Sequence, residues 1–258
     1  MKNGEISCQL LSKSDIATAV NIVRSSFNDT YLIPSIYRAH GVSRFIELEI
    51  SNPQSRYYYL CVKNKKGLIG FCEFKTFSKT AFLNIIAIDN NFKSSGFGEL
   101  LLNFASSFFR SQHFVSITLD VFKTNKLAIN WYRNKGMFEI KQRTLSQVKV
   151  KRPIIVPKLP ELFFINYPHS IIQIQNFGFC MVELLYNNRN YSFGIIKNDL
   201  FIWDYSFQTI EVIIQQIIKL YGIDQVYLFA DINVNENSCK EEKNMYIDTL
   251  IRLEKSIE

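Results

Sequence analysis

Several residue types are scarce in this chain of 258 residues. Its three histidines and five cysteines include no Cys-x-x-Cys pair and no histidine at zinc-ligand spacing, so the sequence predicts neither a metal site nor a disulfide framework. No apolar run approaches the roughly 20 residues that span a bilayer, and the first five residues are polar. We therefore expect neither a membrane segment nor a signal peptide. These absences favour a globular, cytoplasmic protein.

Lysine and arginine are concentrated in the first part of the chain. Residues 1–150 carry 20 Lys and Arg against 10 Asp and Glu, whereas residues 151–258 carry 10 against 13. A basic first part would attract a polyanionic ligand or nucleic acid, although a solvated lysine-rich surface explains the charge equally well. The sequence has no dense Lys/Arg tract, zinc finger or RNP motif, which argues against a nucleic-acid partner.

A strand, a glycine loop and a helix are indicated in residues 82–110. Residues 82–88 form an apolar, isoleucine-rich run without helical spacing, as in a strand buried on both faces, and apolar residues recur at helical spacing in residues 99–110. Gly96 and Gly98 in the intervening loop lack a Cβ atom, so a bulky anion can approach the backbone N–H groups. With the unpaired amides of the helix start, the loop predicts a phosphate site, although a tight turn is the simpler interpretation.

This loop resembles the pyrophosphate loop of the GNAT superfamily of acetyl-CoA-dependent N-acyltransferases, whose pattern is Gln/Arg-x-x-Gly-x-Gly/Ala. The corresponding residues here are Lys93, Ser94, Ser95, Gly96, Phe97 and Gly98. Lysine in the first place departs from the pattern: it keeps a cation near the pyrophosphate but loses the planar fork of arginine.

A second match to the same family follows downstream. The family pattern is approximately Asn-x-x-Ala-x-x-x-Tyr-x-Lys-x-Gly-Phe, and the residues in register with it are Asn125, Ala128, Tyr132 and Gly136. Asn134 stands where lysine is common, and Met137 where phenylalanine is common. Because two motifs in the right order are more specific than either alone, residues 1–148 are identified as resembling a GNAT domain.

The resemblance implies an α/β (α+β) fold with a mixed sheet flanked by helices. Three prolines in residues 149–160 predict a connector, and residues 161–258 predict a second, smaller α/β domain. The element order in residues 200–255 repeats that of residues 82–135. We therefore consider a degenerate GNAT-like unit without phosphate binding, which would serve packing, homodimer formation or a substrate wall.

The hydrophobic periodicity predicts the remaining elements. In the first part, the expected strands are 6–11, 56–62, 68–77 and 117–122, and the expected helices are 16–27, capped by Ser14-Asp15, and 43–50. In the second part, the expected strands are 171–174, 179–186, 192–196, 200–203 and 226–232. The expected helices there are 208–220 and 245–255, with a polar loop before the last one.

The resemblance also implies acetyl-CoA as the acyl donor, with no metal. Its pyrophosphate is expected on the glycine loop, and its pantetheine arm on the main chain of the strand before that loop. The residues expected to contact the cofactor are Ile86, Ala87, Ile88, Lys93, Ser94, Ser95, Gly96, Phe97, Gly98, Glu99, Asn125, Ala128, Tyr132 and Lys135.

The implied reaction is transfer of an acetyl group to a primary amine by direct attack in a ternary complex. Tyr132 is expected to protonate the departing thiolate; the alternative is an aromatic core residue beside Trp131. Residues 82–87 lack the glutamate that many family members use as a base. Glu73 and Asp120 are the candidates, and a water relay or attack by the neutral fraction of the amine would also serve.

Two questions stay open from the sequence. The missing strand carboxylate and Lys93 favour an alternative function, a catalytically weak acyl-CoA-binding or regulatory protein that retains the fold. The acceptor amine could be an amino sugar, a polyamine, an amino acid or a peptide N-terminus. Its candidate contacts, for which ordinary surface roles are the simpler interpretation, are Asp29, Tyr31, Tyr37, Arg38 and His40.

Overall fold

The computed structural model describes residues 6–150, 158–203, 207–232 and 244–258, which form one mixed sheet with helices on its faces. The strands are β1 (Ser7–Leu10), β2 (Tyr57–Asn64), β3 (Gly67–Phe77), β4 (Thr80–Ile88), β5 (Ser116–Phe122), β6 (Phe138–Val148), β7 (Leu162–Phe164), β8 (Phe179–Tyr186), β9 (Arg189–Ile196), β10 (Asp199–Trp203), β11 (Gln225–Asp231) and β12 (Asn244–Ser256). The α-helices are α1 (Ile16–Ser26), α2 (Asp29–Leu32), α3 (Val42–Ser51), α4 (Phe97–Ser111), α5 (Lys126–Asn134), α6 (Tyr167–Phe177) and α7 (Phe207–Tyr221).

The sheet consists of two six-stranded units in mirrored order. The strand order is β1-β2-β3-β4-β5-β12-β6-β11-β10-β9-β8-β7. We call β1 to β5 with β12 the first half-sheet, and β6 to β11 the second half-sheet. Within each half-sheet two neighbouring strands run parallel, β4 with β5 and β10 with β11. The predicted mixed α/β fold is confirmed, and the second half-sheet repeats the strand arrangement of the first in mirrored order.

The last strand, β12, lies in the middle of the sheet, and the predicted helix over 245–255 is wrong. Leu250 pairs with Phe122 of β5 on one side and with Arg143 of β6 on the other. The strand buries Leu250, Ile251 and Leu253. An apolar segment with hydrogen-bonding strands on both sides becomes a central strand, because those contacts outweigh its local helical periodicity.

The predicted strand over 171–174 is also wrong, because these residues belong to α6. This helix has Pro168 in its first turn and ends at Gly178, whose φ is 77°. Proline at a helix start and glycine just after its end are helix signals. They outweigh the short isoleucine-rich run, which fits a strand and a helix equally well.

The other elements match the predictions to within a few residues. The strands β2, β3 and β4 and the helices α1, α3, α4 and α7 are confirmed. The expected side-chain cap of α1 is wrong, since Asp15 forms no hydrogen bond to the helix amides. Instead, its carboxylate lies 2.7 Å from Nζ of Lys63 on β2.

The two half-sheets share a core as well as a sheet. A cluster of apolar residues from the segment 31–39 packs against residues of both half-sheets, among them Phe122, Leu145 and Phe201. The polypeptide crosses twice between the half-sheets, because β6 follows β5 in the chain but lies in the second half-sheet, and β12 follows β11 but lies in the first. The domain boundary expected after residue 148 therefore stays a prediction. Of the predicted connector 149–160, residues 151–157 lie outside the described ranges.

Candidate active site

The parallel strands β4 and β5 separate halfway along β4. Their pairing runs from Thr80 opposite Ser116 to Leu83 opposite Leu119, and ends there. Residues 85–88 of β4 continue to pair with β3, while β5 pairs with β12 on its other side. One edge of β4 therefore faces no strand over these residues in the described part of the chain.

A β-bulge lies where the two strands separate. Leu83 stands opposite Phe74 of β3 and Ile85 opposite Glu73, so Asn84 is the extra residue. A bulge re-aims the side chains that follow it. Leu83 packs in the core beneath α4, whereas Ile85 packs in the core beneath α1 and α3.

A cavity of about 1720 Å³ opens at this separation. It extends from the glycine loop, past β4 and β5, to α6 and the strands β8 and β9 of the second half-sheet, and most of its exposed lining is apolar. Its volume exceeds the range of a few hundred to about 1,000 Å³ that is typical of small-molecule sites. The cavity can therefore hold a long ligand and a second molecule together.

The predicted glycine loop forms the start of α4 at one end of this cavity. Gly96 is the N-cap residue with φ of 82°, and a Cβ atom added there would meet nothing within 4 Å. The first intrahelical bond runs from Leu100 N to Gly96 O, at 3.0 Å. The amides of residues 97–99 therefore point out of the helix end, as an anion site requires. All the predicted loop residues line the cavity except Ser95.

Two of the predicted cofactor residues are paired with each other. Lys135 Nζ lies 2.5 Å from Oε1 of Glu99. The pair joins the end of α5 to the first turn of α4, and it offsets the negative charge of Glu99 beside the glycine loop. Glu99 lines the cavity, whereas Lys135 does not.

The spacing of the second motif follows from the capping of α5. Asn125 is the N-cap residue, and its Oδ1 accepts a hydrogen bond of 3.2 Å from the amide of Ala128. Tyr132 lies one helical turn after Ala128. The side chains of Asn125, Ala128 and Tyr132 therefore line the same cavity. Because the amide oxygen of Asn125 serves as the cap, its Nδ2 donors remain available for a ligand.

Tyr132 is buried at the cavity wall. Its ring packs edge-on against Trp131, with 4.8 Å between the ring centroids, and the residue is 7% exposed. None of the described residues forms a hydrogen bond with its hydroxyl group. Burial raises the pKa of Tyr132 above its ordinary value, so the hydroxyl is protonated at neutral pH.

Glu73 is a buried carboxylate beside the bulge. Its Oε2 accepts a hydrogen bond of 2.8 Å from the Tyr37 hydroxyl, and its Oε1 one of 2.7 Å from Asn84 Nδ2. The residue is 1% exposed and lines the cavity. Burial raises the pKa of Glu73, although these two hydrogen bonds act in the opposite direction.

Asp120 lines the cavity but already has a cationic partner. Its two carboxylate oxygens each accept a hydrogen bond of 2.7 Å from the guanidinium of Arg252 on β12. That guanidinium also lies 5.2 Å from the ring centroid of Phe82. A bidentate ion pair stabilises the charged carboxylate, so the geometry favours a structural role for Asp120 and leaves Glu73 as the better candidate base.

The candidate acceptor contacts separate into three groups. Tyr31 and Tyr37 line the cavity, and Tyr31 stacks on Phe122 with 5.1 Å between ring centroids. Arg38 pairs with Asp199 at 2.9 Å, and His40 Nε2 lies 3.2 Å from the main-chain oxygen of Gln175, so both connect the segment before α3 to the second part of the chain. Asp29 is exposed and lies outside the cavity lining.

Sequence reasoning missed part of the acceptor side of the cavity. Asn84 is the single polar residue in the run 82–88, and Lys75 is the single cation in the aromatic-rich strand β3. A polar or charged residue within an otherwise apolar strand was the sequence signal that could have identified both as site residues. The aromatic side chains that line this side come from both half-sheets and had no local signal; they include Phe45, Tyr57, Phe77, Phe177 and Phe179.

Neither a cluster of metal ligands nor a membrane-spanning helix is present among the described residues. Among the described residues, no three His, Cys, Asp or Glu side chains cluster as metal ligands would. The helices in the described ranges are all too short or too polar to cross a membrane.

Comparisons with known structures relate this fold to acetyltransferases. A candidate acetyltransferase from Pyrococcus horikoshii aligns over 99% of this chain and 92% of its own, with 14% identity and a TM-score of 0.68. A tandem GNAT protein from the clavulanic acid biosynthesis pathway aligns over 98% and 99%, with 9% identity and a TM-score of 0.62. PaiA N-acetyltransferase from Thermoplasma acidophilum, solved in complex with coenzyme A, aligns over 53% and 92%, with 21% identity and a TM-score of 0.47.

The sequence comparisons address the first part of the chain. A search of curated proteins finds no match. Residues 20–137, however, match the sequence model of the Acetyltransferase (GNAT) family. This range contains β2 to β5, the glycine loop and α5, which contribute the part of the cavity lining around the glycine loop and the open edge of β4. Residues 20–137 are therefore assigned to a GNAT acetyltransferase domain by their match to this family model.

Proposed function

We propose that the protein is an N-acetyltransferase that moves an acetyl group from acetyl-CoA to a primary amine by direct attack in a ternary complex. One observation carries the proposal: the unpaired edge of β4, the amides at the start of α4 and Tyr132 all border one cavity. An edge that lacks a strand can pair with the amide groups of an extended ligand, and the helix start can hold its phosphates.

The donor would bind along the first half-sheet. The pyrophosphate would lie on the amides of residues 94–99, with Lys93 as a nearby cation. The pantetheine arm would follow the main chain of residues 86–88, and Nδ2 of Asn125 would donate a hydrogen bond to it. The acetyl carbonyl would then lie near the bulge at Asn84.

The reaction would use Glu73 and Tyr132 as a base and an acid. The amine nitrogen attacks the thioester carbon, Glu73 accepts a proton from the amine, and the C–S bond breaks. Tyr132 donates its proton to the departing sulfur and regains one from solvent, so the products are an N-acetyl amide and the free thiol of coenzyme A. A raised pKa brings the carboxylate closer to the neutral range in which a general base is most effective.

The second half-sheet would form the wall of the acceptor site. Phe179 and Trp203 of this half-sheet and Phe177 of the adjoining helix α6 line the cavity, which favours a substrate wall over the alternative roles of packing or homodimer formation. A cytoplasmic location remains our expectation for the protein.

Calorimetric titration with acetyl-CoA of the wild type, Gly96→Glu and Gly222→Glu tests the donor site. Both glycines have positive φ and open space beside them, so both variants carry similar backbone strain. Only the carboxylate at Gly96 would repel the pyrophosphate. We expect binding by the wild type and Gly222→Glu, and loss of binding by a folded Gly96→Glu.

The same titration separates the proposal from its alternative. No wild-type binding would contradict the donor site. Binding without acetylation of any amine in a broad panel would instead support a catalytically weak acyl-CoA-binding or regulatory protein that retains the fold.

A further inference from the structure

Lys75 is a half-buried cation in the acceptor part of the cavity. Its Nζ lies 5.0 Å from the ring centroid of Tyr57 and 5.5 Å from that of Phe77. Within the described residues, the ammonium group forms no ion pair and no hydrogen bond. A partly desolvated charge without an ion-pair partner is a candidate contact for a ligand of opposite charge.

The carboxylates nearest to Lys75 are already engaged. Glu73 and Glu49 both act on its charge, but Glu73 accepts from Tyr37 and Asn84, and Glu49 accepts from the Ser55 hydroxyl. Burial and the neighbouring Arg56 lower the pKa of Lys75. An anion bound beside it would reverse that effect, because an opposite charge favours the ammonium form.

Arg56 reinforces the positive character of this part of the site. Its Cζ lies 5.7 Å from the ring centroid of Phe77, the ring that Lys75 also faces. Arg56 is exposed and forms no ion pair with the described residues. The exposed ring of Phe77 thus has two cations beside it, which together offer charge and hydrogen-bond donors to one anion.

The candidate base and this cation are adjacent on one face of β3. Glu73 and Lys75 are two residues apart, whereas Phe74 between them packs against Phe109 on the opposite face. Such a pair has Cα atoms about 6.6 Å apart. An α-amino acid, whose amine and carboxylate are attached to the same carbon, can contact both side chains through hydrogen bonds of about 2.8 Å.

An aromatic wall continues from this position. Phe45 lies edge-on to Tyr57 at 5.4 Å and to Phe179 at 5.1 Å, and Phe177 lies 5.9 Å from Phe45. All four rings line the cavity. Burying an apolar side chain against them would contribute about 25 cal/mol for each Å² removed from water.

We infer that the amine acceptor is a free amino acid with an apolar side chain, its amine at Glu73, its carboxylate at Lys75 and its side chain against Phe45, Phe177 and Phe179. This inference rests on the proposed acetyltransferase function. The competing acceptors fit less well. A polyamine would bring a second ammonium toward Lys75 and Arg56, where like charges repel. Amino sugars and peptide N-termini have no anionic group beside the amine to pair with Lys75.

The reaction then forms an N-acetyl amino acid. The nitrogen of the amino acid bonds to the acetyl carbon, the C–S bond of acetyl-CoA breaks, and the carboxylate is unchanged. The amine proton passes to Glu73 and from there to solvent, while the thiolate receives a proton from Tyr132. The carboxylate contact to Lys75 serves binding and orientation, so its loss should affect KM more than kcat.

The test measures the release of coenzyme A thiol with L-phenylalanine, L-phenylalaninamide, glycine and spermidine as acceptors. For the wild type we expect kcat/KM for L-phenylalanine to exceed that for the amide by about 10-fold to 100-fold, the worth of a hydrogen-bonded charge pair. We expect glycine and spermidine to be weaker acceptors than L-phenylalanine.

Lys75→Met keeps the side-chain stem over the rings and removes the charge. We expect this variant to lose the preference for L-phenylalanine over its amide while still acetylating the amide. Lys65→Met in the exposed turn between β2 and β3 is the matched control and should retain the wild-type ratio.

Three outcomes would overturn the inference and leave the proposed function intact. These are equal use of the amide, faster use of spermidine, or an unchanged ratio in Lys75→Met. Acetyl-CoA binding without acetylation of any amino acid would also overturn it. Failure of the proposed function is distinct, since it would appear as an absence of acetyl-CoA binding.

Discussion

The two half-sheets have mirrored strand order but differ where their parallel strands end. In the first half-sheet, pairing of β4 with β5 stops at Leu83, and the residues 84–88 extend beyond it. In the second half-sheet, all residues of β10 pair with β11, from Asp199 to Trp203. The same topology therefore produces an open strand edge in one place and a closed ladder in the other.

The difference has two visible causes. The first half-sheet has the bulge at Asn84, whereas β9 and β10 pair without a shift of register. In the second half-sheet the Trp203 ring stacks on Phe229 at 5.7 Å and covers Gly194, where a Cβ atom would lie 2.5 Å from the ring. A bulge opens one ladder, and a large aromatic residue over a glycine fills the corresponding space in the other.

The largest effect is expected from removal of the strand that joins the half-sheets. Deletion of residues 244–258 leaves β5 and β6 without the neighbour that separates them, so we expect loss of cooperative folding for both half-sheets. Circular dichroism and size-exclusion chromatography measure this. A truncated chain that stays folded and binds acetyl-CoA would contradict the expectation.

A point substitution in β12 is expected to have a smaller effect than deletion of the strand. Leu253→Ala in the core should lower the free energy of unfolding by about 3 kcal/mol through the cavity it leaves. The exposed Met245→Ala is its control and should change stability by less than about 0.5 kcal/mol.

The next largest effect is expected on catalysis at the open edge of β4 in the first half-sheet. We expect Tyr132→Phe to lower kcat by about 10²-fold to 10⁴-fold, the usual contribution of a general acid, with little change in acetyl-CoA binding. Tyr227→Phe on β11, also a buried tyrosine but outside the cavity lining, should retain kcat. Similar kcat values for the two variants would remove Tyr132 from the mechanism.

The closed ladder of the second half-sheet can be tested by substitution of Trp203. Trp203→Ala should lower the free energy of unfolding by about 3 kcal/mol. The acetyl-CoA stoichiometry should remain one per chain, because the described strands β9 to β11 pair without a bulge and the sequence after Trp203 contains no glycine pair. Denaturant unfolding and calorimetry measure the two quantities, and the exposed Phe163→Ala is the control for stability. A stoichiometry of two in the wild type would contradict the comparison.

The smallest effect is a pH dependence of stability at Glu73. Burial raises the pKa of Glu73 in the folded protein, so the folded state keeps this proton to a higher pH than the unfolded state. The wild type should therefore lose stability as pH rises from about 4.3, the ordinary glutamate value, through the raised pKa. Glu73→Gln should lack this loss. A stability difference that is constant with pH would show that Glu73 titrates normally.

Much of the first half-sheet could be predicted because its signals are local. The glycine loop, the capping Asn125 and the β2–β3 hairpin depend on residues within a few positions of each other. The second part of the chain had weaker signals, and α6 and β12 were assigned to the wrong class. Their apolar runs fit either class, and contacts with distant strands decided β12.

The sequence by itself determined the local elements of the site: a strand that ends in a glycine loop, a helix start with unpaired amides, and a motif that places Tyr132 two helical turns after the capping residue Asn125. Only the tertiary structure decided that β12 lies between β5 and β6, that β4 leaves β5 at Asn84, and that Glu73 is buried beside Lys75. The physical reason is the distance along the chain over which each interaction acts. Capping and turn formation act over a few residues, whereas strand pairing and burial depend on segments far apart in the chain, whose contacts form only when the whole sheet assembles.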